Sequence, residues 1–545
     1  VPINGSSASL GTRSRRHIHC NRFRRDVPGR LLCGLIWGLA VLGGGCRYDP
    51  SREEGAPAGD RADESEHAAA AADERWHVFF IKDPATDERR RAGYRHTVQR
   101  EVVRDQQEFV RTVAVDRLRF IRFGRPTEIE MRAESLQSPR GQVVRFGYEV
   151  SLGPGPHKAT GRIQDGQLEL EITAAGTTTT RQMEWPEDCG GVFGVEQSLR
   201  REPLLPGQRR TIHVFLPMLD VVAPVELTAE DYEMTSLLQQ RKRLMAVRSR
   251  ASLPDGQVME MRLWVNDAGE ILKSTTDALG QQIYRTDRQT AEQPGTTAPL
   301  DVGLGVIVET DGVPQEIHQL AQMEYVVTLP QGDPSQILRA VPSQTVRTLG
   351  PHAAAVTVRA IRPDSPPAGP DAPGPPTAHD RDPSSAVQSD DPTIVALAHR
   401  VAPGESDSWR LAVALERFVH EYVESNDFSQ VFATAAEVAE SRQGDCTEYA
   451  VLLAALCRAR NLPSRLAVGL VYVPERGGFL YHMWNTVWIG DRWIPLDATL
   501  SLGGIGAGHL TLGVSDLHDT SVYVSMLPVL QVIGRLRVEI ADGTE

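Results

Sequence analysis

Cys446 stands in Arg442-Gln-Gly-Asp-Cys-Thr-Glu-Tyr-Ala450, directly after a Gly-Asp pair and just before the apolar run Ala450 to Leu456. Gly444 and Asp445 are turn and N-cap residue types, so a helix is expected to begin at or beside the cysteine. A thiol in that place faces the positive end of the helix dipole and the first unpaired backbone N–H groups. Both favour the thiolate, the nucleophilic form of cysteine. Downstream, Tyr481 to Trp488 is rich in β-branched and aromatic residues and reads as a strand carrying His482. Gly490-Asp491 reads as a turn, and Trp493 to Thr499 as a second strand that ends in an acid, Asp497. A tight hairpin sets His482 and Asp497 on neighbouring strands. If both face one way, the carboxylate orients the imidazole and the imidazole takes the thiol proton. Cys446, His482 and Asp497 are thus expected to act as nucleophile, base and orienter in acyl chemistry. The Cys446 N–H is the expected first donor of an oxyanion hole, and Gln443 is the candidate for the second. His509 and Asp445 are alternative partners should the register differ.

The Gly-Asp-Cys-Thr-Glu helix start, the His482-Met-Trp484 strand and the Trp493-Ile-Pro-Leu-Asp497-Ala-Thr499 strand resemble the transglutaminase-like family. The resemblance covers roughly residues 393–510. It implies a papain-like core, with a helix carrying Cys446 packed on an antiparallel sheet carrying His482 and Asp497. It also implies thioester chemistry at an amide, in a peptidase, a deamidase or a protein-glutamine acyltransferase. No second site for an amine donor is recognisable, so hydrolysis is favoured over cross-linking. The other reading is a catalytically silent binding or assembly protein at the cell surface on the same fold. The expected partner is a protein or peptide substrate. No cofactor or metal is implied, since calcium-loop and metal-ligand spacings are absent.

Composition bounds these readings. The chain has 545 residues, 41% hydrophobic and 24% charged, with a net charge of −13. That charge argues against a general nucleic-acid binder. Residues 1–30 carry seven arginines and one acid, and an apolar run from Leu31 to Leu42 ends in Gly43-Gly44-Gly45-Cys46. A basic, then apolar, then small-residue order describes an export signal. Its end at Cys46 resembles a bacterial lipoprotein signal, which implies a periplasmic or envelope location with a lipid on Cys46. A short uncleaved membrane anchor is the alternative. Only Cys189, Cys446 and Cys457 follow. Cys446 and Cys457 are eleven residues apart on one helix, too far along its axis to bridge. Cys457 reads as a small buried apolar residue and Cys189 as structural.

The elements that must position the site follow from pattern. The expected fold class is α+β. Residues 1–46 form the export segment and 47–75 a flexible tether. Residues 76–360 show partial alternation at period two and are expected to form a β-rich region. A curved antiparallel sheet or open barrel is the expected form, with two lobes divided near residue 205 and a helical segment near Thr228–Leu244. Residues 361–391 are a proline-rich linker, with eight prolines between Pro363 and Pro383, expected to be extended and exposed. Residues 392–545 form the transglutaminase-like domain. There, Leu411, Leu415, Phe418, Val419 and Tyr422 fall at helical spacing. Ala435 to Ser441 is a small helix, Leu466 to Val473 a strand, and Leu530 to Ile540 a last strand. Trp484, Trp488 and Trp493 are expected as core or cleft walls.

Overall fold

The fold is seen in a computed structural model. It describes residues 67–68 and 72–541, apart from 84–85, 105, 123–124, 152–155, 175–176, 254–256, 296–298, 302–305, 364, 366–373, 425–432 and 518–521. The export segment and most of the expected tether lie outside the described residues. No helix among the described residues is long and apolar enough to cross a membrane.

Alternation builds the N-terminal region as expected. In the strand Gln167–Ala174, Leu168, Leu170 and Ile172 are buried while Glu169 and Glu171 are exposed, the period of a half-buried strand. The preceding turn has Asp165 and Gly166 at φ of 50° and 74°, the left-handed pair that joins strands tightly. The strands assemble into one 15-stranded sheet. Its pairing order runs from Arg209–Leu216 at one edge to Gln282–Thr286, which pairs with Asp73–Lys82, and on to Thr177–Glu184 at the other edge. The halves on either side of residue 205 therefore share one sheet.

Two expectations need correction here. The region is not a curved sheet or an open barrel. It is one large antiparallel sheet, laid out flat from edge to edge in its pairing order and not closed, since the two end strands do not pair. Alternation fixes which face is buried but carries no information on closure, which depends on strand tilt and stagger. The segment near Thr228–Leu244 is not helical but belongs to two strands, Val221–Ser236 and Arg241–Ser252. Ala223, Val225, Leu227 and Ala229 keep a strict period of two. A register shift between Ala229 and Tyr232 then breaks the pattern, which is why the sequence there looks unlike a strand.

The C-terminal part is α+β as expected. A five-stranded sheet contains Ser464–Val473, Gly478–Ile489, Arg492–Leu496 and His509–Ser515, with the short Val308–Glu309 at its edge. A four-stranded sheet joins Gln322–Thr328, Gln344–Gly350 and Ala353–Arg359 to Arg537–Ile540. Backbone pairing thus connects residues 308–359 with strands beyond residue 478. The stretch from Leu530 is helical at first, ending the helix Val522–Val532, and only Arg537–Ile540 is a strand.

Most described residues of the proline-rich stretch between 363 and 383 are exposed, but Asp380 is not. Asp380 is fully buried and forms a two-pronged ion pair with Arg465, at 2.5 and 2.9 Å. Its carboxylate also accepts from the Thr377 N–H. Although burial opposes its charge, Arg465 and Thr377 hold the carboxyl below its usual range. Trp493 Nε1 donates to the Gly374 carbonyl, and Arg465 lies over the Trp493 ring at 4.1 Å. Proline content predicts an extended chain but not whether a single buried acid ties it down. Asp380→Ala is expected to cost about 3–5 kcal/mol, because it strands a partly buried guanidinium. Urea unfolding checks this, and a loss below about 1 kcal/mol would show that the pair does not anchor the stretch.

Candidate active site

The helix Cys446–Ala459 is buried on every face from Cys446 to Arg458, as an all-round apolar helix must be. Its start is over-determined. Asp445 caps it, accepting from the Thr447 N–H, and Glu448 returns a carboxylate oxygen to the Asp445 N–H at 2.9 Å. The other Glu448 oxygen accepts from the Ala433 N–H. Burial first, then the nearby Asp445, pushes the Glu448 carboxyl well above its usual range. Tyr449 donates its hydroxyl proton to the Val423 carbonyl. None of the described groups accepts from the Cys446 N–H. The cap therefore holds Cys446 as the first helical residue, where the sequence placed it.

The hairpin also forms. Gly478–Ile489 and Arg492–Leu496 pair antiparallel, Ile489 with Arg492, around the Gly490-Asp491 turn. Extending that register sets Thr499 opposite His482 and Asp497 diagonal to it, all on one face. The distances agree: His482 Nε2 donates to Asp497 Oδ2 at 2.8 Å. Thr499 anchors the other carboxylate oxygen through its hydroxyl at 2.6 Å and its N–H at 2.9 Å. Gly469 of the central strand lies opposite His482. A Cβ there would meet the Leu510 carbonyl oxygen at 1.9 Å and Trp484 at 3.0 Å, so the strands could not approach as they do.

His509, an alternative partner by sequence, also lies in this group. Its Nε2 donates to the same Asp497 Oδ2 at 3.1 Å. Trp484 flanks both imidazoles, its ring centroid 6.0 Å from His482 and 5.1 Å from His509. His482, Asp497 and His509 place their ligand-type atoms within 4.8 Å of one another, and no cysteine belongs to that cluster. It could offer a metal one ligand atom from each of the three residues.

The electrostatics split the two histidines. Burial alone would discharge His482. The Asp497 carboxylate overrules it, helped by the Cys446 thiol, and pushes His482 up to about 10. Burial wins at His509, whose imidazole falls to about 4 despite Asp497. Asp497 is driven the other way: burial opposes its charge, but the two imidazoles hold it well below the usual carboxylate range. His482 Nδ1 is buried and makes no hydrogen bond of good geometry, although Cys446 is near enough to bias the ring toward its charged form. Contacts between such a thiol and imidazole are often loose without substrate.

Sequence reasoning missed Glu416. It is buried on the helix Ser408–Tyr422 and accepts from the Asp497 N–H at 3.1 Å and the Gly503 N–H at 2.9 Å. Burial, then Asp497, pushes its carboxyl up to about 7. The available signal was its place between Ala412 and Val419, on the buried stripe of that helix. Cys457 is fully buried, and burial pushes its thiol up to about 12, as suits an inert packing residue.

His509→Phe should keep the packing but remove one donor to Asp497. The expected loss is about 1–3 kcal/mol of stability, with a much smaller effect on any activity than loss of Asp497. Thermal unfolding reads this, and an unchanged midpoint would mean that the 3.1 Å bond contributes nothing net.

Comparison with known proteins agrees with the motifs. Residues 395–498 match the family model described as the transglutaminase-like superfamily. The match is confined to this region, and that superfamily includes enzymes, many of them cysteine-dependent. No curated protein matches the chain. Among solved structures, the chain is similar to a candidate cysteine protease from Cytophaga hutchinsonii at 18% identity and a TM-score of 0.25. That match covers 36% of this chain and 79% of the other. A β-barrel-like protein from Brucella abortus, of a domain family of unknown function, matches at 8% identity and a TM-score of 0.30, over 41% and 98%. A candidate protease from Parabacteroides distasonis matches at 12% identity and a TM-score of 0.19, over 69% and 68%. Likenesses this weak carry no conclusion about this chain.

Proposed function

We propose that the C-terminal domain is a cysteine-dependent amide-bond enzyme. The Cys446 thiolate attacks an amide carbonyl, and protonated His482 gives its proton to the departing amine. Asp497 holds the imidazole in place, and the Cys446 N–H faces the developing oxyanion. The thioester then passes to water in a peptidase or deamidase, or to a second amine in an acyltransferase. Hydrolysis is favoured, because the sequence has no recognisable site for an amine donor. The observation that carries the reading is the 2.8 Å bond from His482 to Asp497, with Cys446 at a capped helix start and close enough to act on the His482 ring.

One observation favours the silent binding protein instead. Cys446 has a relative exposure of 1%, so a substrate reaches the sulfur only if the cover moves. Iodoacetamide labelling separates the readings. An active site should label at Cys446 well below about pH 8 and spare Cys457. Absence of labelling at Cys446 in the folded protein would favour the silent reading.

An exported, lipid-anchored location belongs to the same proposal and rests on the residue order ending at Cys46. Mass spectrometry of membrane-fraction protein should find a lipid-modified N-terminus at that cysteine. A mature N-terminus elsewhere would overturn the lipid anchor.

A further inference from the structure

A cavity of about 470 Å³ lies on one face of the N-terminal sheet, and neither Cys446, His482 nor Asp497 lines it. It falls within the range of small-molecule sites. Eight strands consecutive in pairing order contribute to it, from Arg209–Leu216 through to Arg89–Arg104, and the helix Val522–Val532 closes one side. Its wall is mainly apolar, with Val225, Met261, Leu263, Ile271, Ile283 and Leu530 among the lining residues.

The polar groups are unevenly placed. Three of the lining acids are already paired: Glu196 with Arg75, Asp277 with Arg535 at 2.7 Å, and Glu260 with Arg250 at 2.6 Å. Arg95 in the wall is held by Asp116 through two bonds of 2.7 and 2.8 Å. His77, also in the wall, lies opposite Arg95 on one neighbouring strand and opposite Arg285 on the other. Residues opposite each other share a face, and Arg285 is two residues from the lining Ile283, so it faces the same way. Among the described residues Arg285 makes no close ion pair, although the Glu270, Glu196 and Asp73 carboxylates act on it from further away. His77 Nδ1 is buried without a partner. Burial, then Arg95, Arg285 and Arg75, lowers the His77 pKa well below its ordinary value, so the ring is neutral at pH 7. The buried His77 nitrogen is costly unless something polar completes it, and an anion placed there would also meet the partly exposed Arg285 guanidinium.

We propose that this cavity is a binding site for an amphipathic anion with one apolar chain, a long-chain carboxylate. Its chain lies among Met261, Leu263 and Ile283, and its carboxylate sits beside His77 and Arg285.

Equilibrium dialysis of the folded protein with labelled palmitate tests this. One palmitate per chain should bind saturably. Hexadecanol, which lacks the charge, should bind at least tenfold more weakly. Arg285→Gln should weaken palmitate at least tenfold and leave hexadecanol unchanged, while Arg285→Lys should restore most of the loss. Met261→Trp, which fills the cavity, should abolish binding of both. Because Met261→Trp could also unfold the sheet, the partly exposed Arg285 pair carries the test independently. No saturable binding, equal binding of the alcohol, or palmitate binding indifferent to Arg285→Gln would each overturn the proposal.

Discussion

Cys446→Ala is expected to abolish acyl-enzyme formation while leaving the fold intact. The reaction proposed for this domain has no other nucleophile, and in triads that act as a unit, loss of the nucleophile costs on the order of 10⁶-fold. The structural cost is small by comparison. The substitution removes one sulfur from a buried side chain at a helix start, worth about 1 kcal/mol of burial. The start itself is fixed by Asp445, Glu448 and Tyr449, none of which depends on the thiol. Intact-mass analysis after incubation with an electrophilic amide or ester probe reads the outcome. An adduct on the wild type that persists in Cys446→Ala would place the nucleophile elsewhere and end the mechanism. Cys457 is the internal control, since burial pushes its thiol up to about 12.

Asp497→Asn carries the second largest expected effect, with two separable readouts. Activity should fall by about 10³–10⁴-fold, the scale seen when the carboxylate of such a triad becomes an amide. The amide still fills the space but no longer steadies a charged His482. The second readout is the pH dependence of stability. His482 is raised from 6.5 to about 10 in the folded protein. A raised basic group stabilises fully below its unfolded value, and that contribution fades as pH rises from about 6.5 through about 10. Asp497 is depressed, so its contribution is present above about 3.8 and lost as pH falls through its folded value. The two describe one buried ion pair and are not additive. Two neighbours add slopes of their own. Glu416, raised to about 7, loses stability as pH climbs from about 4.5 to about 7. His509, lowered to about 4, costs stability as pH falls from about 6.5. The comparison is therefore between variants. Between about pH 7.5 and 10 the wild type should lose stability, and Asp497→Asn should show a much flatter curve. Equal slopes for the two proteins would mean that His482 is not held charged by Asp497.

The site was legible in the sequence because its parts are local. A Gly-Asp pair before an apolar run places a helix start within a residue or so, and the cap chemistry that does this is written in Asp445 and Glu448. The hairpin is similarly local. A two-residue turn fixes the register, and a period of two decides that His482, Asp497 and Thr499 share a face. Each of these depends on interactions spanning no more than a few residues or one turn, so residue type and spacing suffice.

The rest required the tertiary structure, because it depends on partners distant in the chain. Glu416 reaches the Asp497 backbone across 81 residues; its helix marks it as buried but not which group it meets. His509 joins the site because its strand pairs with Ser464–Val473, a choice among strands that alternation cannot make. Asp380 anchors a proline-rich stretch through Arg465, 85 residues away. The large sheet repeats the same lesson: several strands were marked by their pattern, but the open pairing order from Arg209–Leu216 to Thr177–Glu184 was not. Alternation assigns a face to each residue. Which strands meet, and whether their ends close, is decided by long-range pairing that only the folded chain expresses.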